Sequence, residues 1–111
     1  MKPKLKVWVV FRTGLKFGDG RAHLLAAIDE LGSLQQAVAR FEMSYRNAWG
    51  YLRELEAAAG FAFLERTPKR GAKRGTRLTA RGRTFLARYW HFRHGLDEIV
   101  TRRFIRSFRQ K

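Results

Sequence analysis

Arg46, Asn47 and Arg53, three polar side chains in the segment SYRNAWGYLRELEAAAG, have the chemistry to read or hold a nucleic acid. Arginine presents a planar fork of donors that matches two acceptors on guanine or the oxygens of a phosphate, and asparagine pairs with one edge of adenine. A second set of cations, Lys69, Arg70, Lys73 and Arg74, lies within RTPKRGAKRGTRLTARGRTFLAR, part of a stretch with no acid from Arg66 through Leu96. Cations on a glycine-containing tip can approach a duplex closely, neutralise phosphates and release counterions.

No comparable constellation points to catalysis. Asp29-Glu30 and Asp97-Glu98 are sequence neighbours that diverge around a helix, so neither pair converges on a substrate. His91 and His94 are three residues apart, but with no cysteine and no nearby carboxylate triad they do not make a metal site. Gly14, Gly18 and Gly20 lack the GK[ST] ending or the dinucleotide spacing of a phosphate loop. The expectation is a protein that is not an enzyme and carries no cofactor.

The elements that must position the cations can be read from spacing and punctuation. Val7 to Phe11 are β-branched or aromatic and run into Thr13-Gly14, which predicts a strand ending at a turn, with a second extended piece at Leu15 to Phe17. Asp19 is a candidate N-cap for a first helix, in which Leu24, Leu25, Ile28 and Leu31 recur at helical intervals before Gly32. Ser33 with Gln36 matches a capping box for a second helix, and Ser44 caps a third that ends at Gly60. On a helical wheel the third helix gathers Ala48, Leu52, Leu55 and Ala59 on one side and Arg46, Asn47, Gly50, Arg53 and Glu54 on the other. Trp49 borders the apolar side and is expected in the core; Tyr45 is divided between packing and binding.

FAFLERT and TRLT then read as two short strands around PKRGAKRG, placing a basic hairpin loop at about 67–76. Thr79 caps a last helix over about 80–108, where Phe85, Tyr89, Phe92, Leu96 and Ile99 are spaced four, three, four and three. Such a seam predicts a partner helix and hence a homodimer; Gly95 inside it allows a bend.

Composition limits the partner. One domain is expected from 111 residues, and 45% hydrophobic content excludes a wholly disordered basic chain. A formal net charge of +15 favours a polyanion, nucleic acid ahead of an anionic membrane. The apolar run Val7 to Phe11 is too short for a signal sequence or a bilayer span, so the expected location is the cytoplasm, with the nucleoid. The absence of cysteine excludes disulfides and thiolate chemistry.

The order strand, helix, helix, turn, helix, strand, basic loop, strand, helix is that of a winged helix-turn-helix, mainly α with small β, in which the third helix enters the major groove of double-stranded DNA and the loop is the wing. GSLQQAVARFEMSYRNAW, FLERT, the basic wing and LTARGRTFL also resemble the DNA-binding domain of the molybdate-responsive transcriptional regulators, the ModE family. The LTARG ending is shared with the LysR-type regulators. The resemblance implies a homodimeric bacterial regulator with Ser44, Tyr45 and Arg46 at the start of the recognition helix and 69–74 in the wing. Glu42 stands where that family usually has glycine, and this wing is richer in arginine. The family's oxyanion-binding domain would begin where this chain ends, so molybdate binding is not expected from these residues. A structural protein that binds RNA or the nucleoid without sequence choice is the alternative.

Overall fold

Local punctuation decides where each helix starts and stops. A computed structural model of the chain describes residues 1–67 and 75–109. A hairpin opens it: β1 (Trp8–Val10) pairs antiparallel with β2 (Lys16–Gly18), Val9 opposite Phe17. Four helical elements and a second hairpin follow in the expected order: α1 (Asp19–Leu31), α2 (Leu34–Arg40), α3 (Tyr45–Ala59), β3 (Leu64–Arg66), β4 (Thr76–Leu78) and α4 (Ala80–Arg93), before a final α5 (Leu96–Phe108). Ser33, Ser44 and Thr79 cap α2, α3 and α4 with side-chain oxygens that accept the N–H of the residue three further on. Gly32 and Gly60 close α1 and α3 in the left-handed conformation.

The cap of α1 differs from the sequence expectation. Gly18 is the N-cap and Asp19 already lies in the first turn. Its carboxylate is used across the fold instead, accepting from the Tyr89 hydroxyl and from Arg93, both on α4. Burial, with the hydrogen bond to Asp19, raises the Tyr89 phenol above its ordinary range.

The core lies where α1, α2, α3 and β4 converge, around Leu24, Leu25, Ile28, Leu52, Leu55 and Leu78. An aromatic group extends it toward the first hairpin: Phe85 packs edge-on to Phe17 at 5.0 Å and to Phe63 at 5.3 Å, and Tyr89 meets Phe17 at 5.1 Å. Two members of the predicted dimer seam, Phe85 and Tyr89, therefore belong to the intramolecular core, Tyr89 with only 3% exposure. Gly82 permits this packing, because a Cβ there would stand 2.8 Å from the Phe63 carbonyl oxygen.

The second hairpin sets Leu64 opposite Leu78 and Arg66 opposite Thr76. Thr76 N–H donates to the Gly32 carbonyl at 2.9 Å, which fixes the hairpin base to the end of α1. The expected wing cations Lys69, Arg70, Lys73 and Arg74 lie outside the described residues.

The C-terminal segment is helical over Ala80–Arg93 and Leu96–Phe108, and its single break lies between them, where His94 is extended and Gly95 takes φ +84°, bending the expected helix. Beyond the bend α5 has no buried residue, and the radius of gyration is 17.2 Å. A compact domain of this length has about 13 Å, so the difference marks a helix that projects from the body.

Candidate nucleic-acid interface

The α2–α3 pair is held by a four-residue connection, 41–44, in which the Phe41 and Met43 N–H groups both donate to the Val38 carbonyl. Glu42 takes φ +52°, the left-handed turn that the resemblance assigned to glycine. The Ser44 hydroxyl accepts Asn47 N–H at 3.0 Å, so its observed work is to start α3.

α3 then presents two faces, as its spacing required. Ala48, Leu52 and Leu55 are buried, while Arg46, Asn47, Gly50, Arg53 and Glu54 are exposed on the opposite side. Among the described residues neither Arg46 nor Arg53 pairs with a carboxylate, and the position of a Cβ at Gly50 meets nothing within 4 Å. The helix therefore offers an open face with two guanidinium groups that make no ion pair among the described residues, one amide and the Glu54 carboxylate, wide enough at Gly50 for another backbone to approach.

Each flank of that face is fixed by a specific contact. On one side the Glu56 carboxylate accepts the N–H groups of Phe63 at 2.7 Å and Leu64 at 3.2 Å, holding β3 against α3. On the other, the Tyr51 hydroxyl donates to the Lys16 carbonyl at 2.9 Å, and the Arg21 guanidinium lies 4.6 Å from the Tyr51 ring centre. Burial pushes the Tyr51 phenol up to about 12, against the opposing effect of Arg21.

Trp49 is the clearest departure from the sequence reading. It is 46% exposed, and Tyr45 one turn before it is 52% exposed. The physical reason is angular: the core side of α3 is centred between Leu52 and Leu55, which leaves Trp49 about a quarter turn away, on the flank facing β3. Wheel geometry alone could have found that offset. Glu56 carried no signal, because its partners are defined only once the chain has returned through β3.

The other flagged residues form no second site. His91 and His94 are exposed, and among the described residues no group of three His, Cys, Asp or Glu could hold a metal ion. Nor is any described helix long and apolar enough to cross a membrane. Of the predicted dimer seam, Phe92 and Ile99 are exposed and Leu96 is half-buried.

Residues 21–83 match the family model described as bacterial regulatory helix-turn-helix protein, lysR family. The crystal structure of the CbnR_DBD–DNA complex superimposes with a TM-score of 0.56 at 28% identity, covering 79% of this chain and 91% of that one. The molybdenum-pterin-binding protein MopB of Rhodobacter capsulatus is 29% identical over 93 residues, 84% of this chain. The chain spans about a third of that protein's length, 34%. With the family model covering more than half of the chain and the winged architecture in place, the chain belongs to the lysR family of bacterial regulatory helix-turn-helix proteins, and the domain it forms is a transcription regulator's DNA-binding domain.

Proposed function

We propose that this protein is a homodimeric, sequence-specific regulator of transcription, of molybdate-responsive type in its DNA-binding domain, that binds double-stranded DNA in the cytoplasm. The observation that carries it is the open face of α3, where Arg46, Asn47 and Arg53 stand exposed around Gly50. Placed in a major groove, Arg46 and Asn47 at the first turn reach base edges and Arg53 a phosphate, while the second hairpin follows the neighbouring backbone. The wing cations Lys69, Arg70, Lys73 and Arg74 add sequence-independent affinity. The CbnR_DBD neighbour, solved with DNA, supports duplex DNA as the partner. The likeness to a molybdenum-pterin-binding protein supports the molybdate-responsive type. The exposed apolar side chains Phe92 and Ile99, with Leu96, supply the dimer surface and hold two copies of α3 about 34 Å apart.

Selection from a randomised duplex pool at near-physiological salt tests this reading. Enrichment of a palindrome is the expected result. Uniform recovery with a steep salt dependence would instead make the protein a non-specific binder of the nucleoid or of RNA.

A further inference from the structure

The first hairpin carries a face that the core does not use. From Lys2 to Phe11 exposure alternates residue by residue: Pro3, Leu5, Val7, Val9 and Phe11 are half-buried, while Lys2, Lys4, Lys6, Trp8 and Val10 stand in solvent. This period of two continues the pattern of β1 back to Lys2 and lines up three lysines and a tryptophan over about 20 Å. Lys16, opposite Val10 on β2, adds a fourth ammonium to the same face. No acid precedes Asp19, whose carboxylate is engaged by Tyr89 and Arg93. None of the four lysines makes an ion pair among the described residues.

Trp8 is the unusual member of that face. Its ring is 52% exposed, yet it is held against the sheet: opposite it stands Gly18, where a Cβ would lie 2.7 Å from Trp8 Cδ1. Glycine at that position lets the indole lie across the strand pair. Lys16 Nζ stands over the ring, 4.6 Å from its centroid, a cation–π contact. An indole fixed on a sheet, half in water and flanked by ammonium groups, is the combination that holds unpaired nucleotides: a base stacks on the ring and the neighbouring phosphates take the cations. The bases of a duplex are already stacked on one another, so such a platform suits a single strand.

We propose that the outer face of the first hairpin is a second nucleic-acid site, one that takes a single strand, RNA or unpaired DNA, with a base stacked on Trp8 and the backbone running along Lys6, Lys4 and Lys2. A base arriving on the ring displaces the Lys16 ammonium, which then pairs with the adjacent phosphate. The site is separate from the open face of α3. The hairpin meets that helix at Tyr51, whose hydroxyl donates to the Lys16 carbonyl, on the flank away from β3.

The test follows the fluorescence anisotropy of labelled oligo(U), oligo(dT) and a mixed-sequence duplex, each about 12 nucleotides or base pairs long, titrated with the full chain and its variants across salt concentrations. Trp8→Leu, which keeps an apolar cover over Gly18 but no ring, is expected to weaken both single strands about tenfold and to leave the duplex unchanged. Replacing Lys2, Lys4 and Lys6 together by Gln is expected to lower the magnitude of the single-strand salt slope by about two. Tighter binding of oligo(U) or of oligo(dT) by the wild-type chain names RNA or unpaired DNA as the source of the strand. Wild-type affinity for both single strands in Trp8→Leu would overturn the site. A lysine variant that weakens the duplex as much as the single strands would overturn it in favour of a flanking contact to duplex DNA. Should Trp8→Leu fail to fold by circular dichroism, the lysine variant, altered at exposed positions alone, decides, and an unchanged slope sinks the site. None of these losses touches the selection of a duplex by α3, so the two sites stand or fall separately.

Discussion

Glu42 holds a backbone conformation that L residues avoid, φ +52°, in the connection that sets α3 against α2. The left-handed region costs a residue with a Cβ about 1–2 kcal/mol, and glycine returns part of that through the entropy it loses on folding. Replacing Glu42 by Gly is therefore expected to stabilise the domain by up to about 1 kcal/mol, a rise of a few degrees in the midpoint of thermal unfolding followed by circular dichroism. A fall in the midpoint would show that the carboxylate makes a contribution larger than the strain. The capping residues Ser33, Ser44 and Thr79 were legible in the sequence because a cap is local chemistry, a hydroxyl and an N–H three residues away. The exposure of Trp49 was not taken from the sequence, since a residue at the border of a helix face is covered or left open by whatever element packs beside it.

Asp29 shows how elements far apart in sequence are tied at a single carboxylate. Its oxygens accept the Leu78 N–H of β4 at 3.0 Å and two donors of Arg83 on α4, each at 3.0 Å. Burial alone would raise its pKa, but the Arg83 hydrogen bonds, the Leu78 N–H and the charges of Arg83 and Arg77 together lower it. A depressed carboxylate contributes stability that is present above its ordinary value of 3.8 and is lost as the pH falls through the lower folded value. Asp29→Ala leaves the Leu78 N–H without its acceptor and is expected to cost about 1–3 kcal/mol. Asp29→Asn keeps an acceptor oxygen but loses the charge, so the wild-type advantage over it in thermal unfolding should be present at neutral pH and shrink in acid at about pH 3. An advantage unchanged between the two pH values would remove the ion pair from the account. The starts of α2, α3 and α4 and both hairpins could be read from local signals, whereas this tie, 49 residues across, could not. Binary patterning marks which face is buried without naming the polar partner waiting there.

At the scale of the whole molecule the projecting α5 is the feature that the body leaves unfinished. The four-three seam correctly marked a helical stretch, but it ran together two kinds of residue: Phe85 and Tyr89 turn into the domain, while Phe92 and Ile99 remain outside. Periodicity reports that a face is apolar and is silent on whether the neighbour that covers it lies in the same chain. If the outer half is the dimer surface, Ile99→Asp, at a position 48% exposed, should convert the protein to a monomer in sedimentation equilibrium while barely changing its melting point. A wild-type chain that already sediments as a monomer would end the dimer reading.

The bend at Gly95 would then act as a gauge. Arg93 braces it, one side chain reaching both Asp19 in α1 and Asp97 in the first turn of α5. A helix of 13 residues is a lever about 20 Å long, so a swing of about 10° at the bend displaces its far end by about 3.5 Å, close to the rise of one base pair. Half-site spacing in such a dimer would then respond to one pair of backbone angles, far from any base.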